Sequence, residues 1–400
     1  MTSTHTPTPL QTIILDLLRQ SGPITFAHYM SLCLYHPQHG YYMQGRERTG
    51  VAGDYFTSPD LHPIFARLVA RQAAEMWEIL GRPAPFTWVE MGAGRGWLAR
   101  DFLQWVVTKW PDFAAALDYV AIEPGPAPRA RVAQRLREIG LQGRVRLLAN
   151  FEELLPTGAG TGPDPTAVTG CFFSNELIDA FPVSVVTRAN GRVKEIYVAA
   201  EGEAMRETTG PISDPAVAAA VAPYAKEIEE GQRVEVNLHA ARWIKSVAEK
   251  LRQGFVLTID YGDLAGRLYT PHRRRGTLMA YRGHTASEDF FGAPGEQDLT
   301  AHVNFSALIA AGKRSSLDCL GLTTQERFLM ALGESTGFSD LYDPGQSPLQ
   351  QLDARLKLKR LIHPEGMGTI FKVLIQYRGA RDAPQPQLTG LKFQRTVACG

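Results

Sequence analysis

Thr87-Trp88-Val89-Glu90-Met91-Gly92-Ala93-Gly94-Arg95-Gly96-Trp97-Leu98 sets the reading of this 400-residue chain. Apolar residues run into an acid, three glycines stand at alternate positions, and a segment with helical spacing follows. That order predicts a buried strand, a tight turn and the start of a helix. Glycines in such a turn let the backbone bend sharply and approach a ligand that any side chain would exclude.

The same alternation continues downstream. Strands are expected at 86–91, 118–123, 144–148 and Cys171–Ser174, with helices at about 97–109 and 127–139. Repeated strand–helix alternation predicts an α/β fold with a mostly parallel, Rossmann-like sheet. Upstream, amphipathic spacing predicts helices over 10–20, Phe26–Leu34 and 63–80. Residues 182–199 alternate around Asn190-Gly191, a hairpin signal. A helix at about 238–252 leads into the apolar strand 255–260, and helices near 325–333 and 350–360 precede a strand at 369–377. The expected division is a helical extension with a covering loop (1–82), the glycine-loop core (83–200) and a peripheral Ala/Glu-rich insertion (201–240). The completed core with a substrate-side insertion (241–378) and a flexible tail (379–400) follow.

Composition narrows the function classes. Apolar residues make up 44% and charged residues 21%, ordinary for a globular protein. Lys plus Arg is 42 against 41 acids, a net +1 that gives no support for nucleic acid as a partner. No apolar run approaches the roughly 20 residues of a membrane span. The Thr/Pro-rich first ten residues carry no secretory or mitochondrial signal pattern, so a cytoplasmic location is expected. Cys33, Cys171, Cys319 and Cys399 are too scattered for a paired motif; buried free thiols are expected, and no metal site.

Two nucleotide chemistries compete for the glycine loop. Gly92, Gly94 and Gly96 give G-x-G-x-G where a dinucleotide fingerprint wants G-x-G-x-x-G, and no Gly-Lys-Ser/Thr follows for a P-loop. With Glu90 two residues ahead, the E-x-G-x-G-x-G form resembles the first motif of class I S-adenosylmethionine-dependent methyltransferases. Glu123 ends the next strand, where a carboxylate can accept hydrogen bonds from both ribose hydroxyls; the alternative is a helix-capping acid. Ser174-Asn175-Glu176-Leu177-Ile178-Asp179 places polar residues just past another strand's carboxyl end, the edge where open α/β sheets bind ligands. Asn175, Glu176 and Asp179 could hold an amine or guanidinium and orient its lone pair toward a methyl group. Helix capping by Asn175 or Asp179 is the bland alternative.

Taken together, His39-Gly40-Tyr41-Tyr42, Gly53–Pro59, Val89–Gly96, Ser174–Pro182, Ile259-Asp260-Tyr261-Gly262, Ala293–Phe305 and His363–Gly368 resemble the MidA-like methyltransferase family. Its mitochondrial members are complex I assembly factors that methylate an arginine of a subunit. The resemblance implies a class I methyltransferase core with an N-terminal helical extension and a large late insertion. It implies S-adenosyl-L-methionine as cofactor and an arginine side chain of a protein, of the respiratory-subunit kind, as acceptor. It also implies that the loops containing Asp54 and Asp298 close over cofactor and acceptor, with His302 as a titratable group beside them. Asp54, Glu90, Gly92, Gly94, Gly96 and Glu123 are then the cofactor residues, Asp298 a substrate residue, and Asn175, Glu176, Asp179 and His302 the catalytic candidates. Asn304 stands where the family usually has aspartate, which weakens any base role there. A cofactor-binding assembly factor without essential catalysis, and a small-molecule methyltransferase, are the alternatives.

Overall fold

The computed structural model describes residues 7–46, 50, 53–54, 56–154, 167–380 and 384–394. The chain forms two compact units that interleave along the sequence. One comprises Phe56–Leu177, Trp243–Tyr261 and Ile309–Gly400; the other comprises Met1–Tyr55, Ile178–Arg242 and Gly262–Leu308.

The first unit is built on strands β1 (Phe86–Met91), β2 (Leu117–Ile122), β3 (Val145–Leu148), β4 (Val168–Asn175), β5 (Leu251–Asp263), β6 (Asp318–Thr324) and β7 (Phe371–Arg378). Their order across the sheet is β6-β7-β5-β4-β1-β2-β3. Strands β1 to β5 pair in parallel, and β7 runs antiparallel to both β5 and β6. Helices α1 (Ile64–Ile79), α2 (Trp97–Lys109) and α3 (Pro126–Glu138) pack in succession, α1 on α2 and α2 on α3. Every residue of β1 is buried, as expected of a central parallel strand covered on both faces. Trp88 fixes its position, with ring centroids 4.9 Å from Phe102 of α2 and 5.2 Å from Phe173 of β4. Strand order reverses between β1 and β4, so the glycine loop that leaves β1 lies at the sheet's topological switch point.

The second unit carries a five-stranded antiparallel sheet. Its path is Ile24–Thr25, Arg192–Glu201, Ser184–Ala189, Arg233–Val236, with Ala204–Gly210 on the free side of Arg192–Glu201. The hairpin turns at Asn190 and Gly191, both with positive φ (54° and 72°), the conformation a two-residue type I′ turn requires. Helices Pro9–Ser21 and Phe26–Tyr35 contribute Leu10, Ile14, Phe26 and Tyr29 to an apolar cluster with Val185, Val198 and Leu299. A smaller sheet joins Thr285–Ser287, Met279–Arg282 and Asp298–Thr300.

Three expectations change. Residues 201–240 are not merely peripheral: they supply two strands of the five-stranded sheet, and Val217, Val221, Ile228, Val234 and Val236 form a buried cluster with Val186. Residues 384–394, inside the stretch expected to be a flexible tail, pack instead. Leu388 and Leu391 are buried, and Thr389 donates from its N–H and hydroxyl to the Glu75 carboxylate at 3.0 and 2.7 Å. Cys33 and Cys171 are buried free thiols as expected, whereas Cys319 is disulfide-bonded. The Gly/Pro/Thr loop read at 156–168 falls largely outside the described residues.

Candidate cofactor and acceptor site

The sheet register aligns the site's residues. Met91 pairs with Ile122 of β2 and with Ser174 of β4, and Asn175 pairs with Ile259 of β5. Gly92, Glu123, Glu176 and Asp260 therefore all emerge at the carboxyl edge of four adjacent strands. Gly92, Gly94 and Gly96 have φ of 76°, 53° and 74°, a left-handed backbone that side chains resist. The three glycines are not equivalent. A Cβ on Gly92 would stand 3.0 Å from Leu177 Cδ1, and one on Gly96 3.1 Å from the Val132 Cα of α3. A Cβ on Gly94 would meet nothing nearer than the Gly92 carbonyl at 4.0 Å. Gly96, buried, thus serves packing against α3, while Gly92 and Gly94 are both exposed and Gly94 alone has open space beside it.

Glu123 braces this loop. One carboxylate oxygen accepts from the Gly94 N–H at 2.8 Å, and the other from the Gly125 N–H at 3.1 Å, the latter at the start of α3. Glu123 thus joins the glycine loop to the residue ahead of α3, and no side chain among the described residues caps that helix, so the helix-capping alternative does not describe it. Each oxygen keeps a lone pair for a ribose hydroxyl. Burial raises its pKa, opposed by those two backbone hydrogen bonds.

Glu90 lies deeper, 4% exposed, and its Oε2 accepts from the Tyr119 hydroxyl at 2.8 Å. Burial pushes its carboxyl up to about 8. Tyr119 is the partner the sequence did not single out, although its position two residues past the β2 start puts it in register with Trp88.

At the end of β4, Glu176 has φ of 52°, a conformation costing a non-glycine residue about 1 kcal/mol. Its N–H donates to the Ile259 carbonyl at 2.9 Å, which holds the turn. Its Oε1 accepts from Asn175 Nδ2 at 2.9 Å and from the Ser58 N–H at 3.2 Å. Asn175 Oδ1 is buried and has no hydrogen-bond partner among the described residues. Asp60 accepts from the Thr57 N–H and hydroxyl at 3.0 and 2.8 Å, and Arg95 of the glycine loop pairs with it at 3.3 Å. Residues 57–60 thereby tie Glu176 to the glycine loop. Asp260, fully buried, accepts from the Leu177 N–H at 3.3 Å and supports the same turn.

Asp54, Asp179, Asp298 and His302 belong to the other unit. Asp54 accepts from the Tyr41 hydroxyl and the Gly283 N–H, both at 2.6 Å. Asp298, 1% exposed, receives the Tyr42 hydroxyl at 2.8 Å, and Asp179, 5% exposed, accepts the Ala301 N–H on its carbonyl at 2.9 Å. Tyr281 pairs in register with Asp298, and burial together with Asp179 and Asp298 raises its pKa. The His302 N–H donates to Thr277 Oγ1 at 3.0 Å. Asn304 spends its amide locally, donating to the Tyr269 hydroxyl at 2.8 Å and accepting from the Ala307 N–H at 3.0 Å, so it caps the helix Phe305–Arg314. A cavity of about 400 Å³ lies at the opposite edge of the large sheet, by Pro85, Leu117 and Val145 and beside the Asp118–Arg146 ion pair, away from the glycine loop.

A parallel sheet, a three-glycine turn at its switch point and an acid closing the next strand define a nucleotide-type cofactor-binding α/β protein. The absence of a pyrophosphate fingerprint and the open face at Gly94 fit an adenosyl-type cofactor. Residues 68–323 match the family described as "Putative S-adenosyl-L-methionine-dependent methyltransferase". The chain belongs to this family; it is an S-adenosyl-L-methionine-dependent methyltransferase of the class I, Rossmann-like kind. The fold aligns with a crystal structure of a Burkholderia thailandensis protein bound to S-adenosyl-homocysteine, with TM-score 0.85, 30% identity, and coverage of 98% of this chain and 99% of that one. The Drosophila melanogaster protein arginine methyltransferase NDUFAF7 homolog, mitochondrial, is 28% identical over 90% of this chain and 82% of its own length. Human protein arginine methyltransferase NDUFAF7, mitochondrial, is 26% identical over 98% of this chain and 87% of its own length. These mitochondrial relatives overturn the cytoplasmic location expected from the sequence. No helix among the described residues is long and apolar enough to cross a membrane.

Proposed function

We propose that the chain transfers the methyl group to an arginine side chain of a protein partner, and that Asn175 and Glu176 receive the guanidinium. The observation that carries this reading is the Asn175–Glu176 turn: a carboxylate held by two N–H donors beside a buried, unpaired amide oxygen. A carboxylate and an acceptor oxygen side by side match the donor fork of a guanidinium. When bound, S-adenosylmethionine supplies an electrophilic methyl on a sulfonium. Glu176 and Asn175 then hold the acceptor nitrogen in line and favour its loss of a proton, contributing alignment more than acid–base chemistry. The relatives named as protein arginine methyltransferases support the acceptor class.

The test is methyl transfer from labelled cofactor in a lysate lacking the protein, followed by mass spectrometry of the labelled species. Label on protein arginine that is lost with Glu176→Gln supports the proposal. Label confined to small molecules or to other side chains refutes it.

A further inference from the structure

We propose that Tyr119 is a positioning residue for Glu90, and that the Glu90 carboxyl releases its proton to solvent when the cationic cofactor binds. The inference rests on the reading of Glu90 as a cofactor-facing residue. Its physical basis is a missing counter-charge. Glu90 and Tyr119 are 4% and 1% exposed, and the phenol hydroxyl donates to Oε2 at 2.8 Å. The ionisable groups that act on Glu90 are Tyr119 and the like-charged Glu123, both from β2 and its end; its in-register neighbour on β4 is Phe173. From helix α2, Phe102 packs on Tyr119 and Trp88 and brings no charge. No cationic side chain among the described residues pairs with Glu90.

A carboxylate so placed is costly, and the proton stays on it: burial holds the carboxyl at about 8. Glu90 precedes Gly92 by two residues, so it underlies the turn on which the cofactor's charge would rest. A cation arriving there supplies the absent counter-charge. The carboxyl O–H bond then breaks, the proton passes to buffer, and the carboxylate pairs with the cofactor. Tyr119 aims Oε2 and lowers the cost of the ionised form by one hydrogen bond. Its own pKa is raised far above the usual range by burial and by Glu90, so it stays a donor throughout.

The experiment is calorimetric titration of the full-length protein with S-adenosylmethionine in two buffers of different ionisation enthalpy, from pH 6 to 9. Wild type should release close to one proton more than Glu90→Gln at pH 7, any titration of the cofactor itself being common to both. Its affinity should rise up to about tenfold per pH unit below pH 8 and level off above. Tyr119→Phe should bind roughly tenfold more weakly at pH 7, with the levelling displaced to higher pH. Equal proton release from wild type and Glu90→Gln overturns the coupling, and an unchanged Tyr119→Phe profile overturns the positioning role. Glu90→Gln binding with wild-type affinity at every pH overturns the cofactor-facing reading itself.

Discussion

Glu123 offers the sharpest test of how the glycine loop is held, because its two hydrogen bonds predict a stability effect without any cofactor present. Glu123→Ala removes the acceptor for two N–H groups in different surroundings. Gly125 is buried, so its orphaned N–H costs about 1–3 kcal/mol. Gly94 is exposed and regains water, leaving a net loss of about 0.5–1 kcal/mol. The sum, about 1.5–4 kcal/mol, corresponds to a fall in melting temperature of roughly 3–16 °C for a unit of this size. Glu123→Gln should fall nearly as far, because its amide presents a donor to one of the two N–H groups. Scanning fluorimetry of the cofactor-free protein measures this, and hydrogen exchange at Gly94–Gly96 should quicken in both variants. A Glu123→Ala protein that melts within 1 °C of wild type would refute the bracing role.

Other perturbations separate the parts of the site. Because the folded-state Glu90 carboxyl sits at about 8 against 4.5 for the free group, the folded protein holds a proton that the unfolded chain gives up. Stability in the absence of cofactor should therefore decline as pH rises from about 4.5 to 8, by roughly 5 kcal/mol at most, and denaturation of Glu90→Gln should lose that slope. Gly96→Ala should destabilise more than Gly94→Ala in thermal melts, since only the former drives a Cβ to 3.1 Å from Val132 in addition to the left-handed backbone cost. Asn304→Asp should keep the cap on Ala307 and leave methyl transfer within about twofold, because the amide oxygen is spent on the helix; a large gain in activity would mean the side chain acts as a base after all.

The methyltransferase core was readable from sequence because its signals are local. Apolar strands ending in acids, helices with clean periodicity and an Asn-Gly turn each fall where the structure has them, from Phe86–Met91 to the hairpin at Asn190. What escaped lies in long-range pairings. Ala204–Gly210 reads Ala-Met-Arg-Glu-Thr-Thr-Gly, polar enough to hide a strand whose pairing with Arg192–Glu201 stabilises it. The Leu388–Leu391 segment is short and flanked by Pro, Gln and Lys, and it is tied to Glu75 far away in the chain. Tyr119 carries no sequence signal beyond its place in a strand; its hydroxyl bond to Glu90 depends on the register between β1 and β2. Glu123 reads from sequence as either a ligand residue or a cap; the structure shows it accepting from the Gly94 and Gly125 N–H groups, a bracing contact that spacing alone could not reveal.

If the cofactor lies over Gly94, where the loop leaves space, a side chain at that position excludes it. Asparagine tolerates a left-handed backbone better than other non-glycine residues, so Gly94→Asn fills that space at small conformational cost. Equilibrium titration with S-adenosylmethionine tests it directly. Gly94→Asn should melt within a few degrees of wild type and yet bind cofactor at least a hundredfold more weakly. Wild-type affinity in a folded Gly94→Asn protein would contradict it.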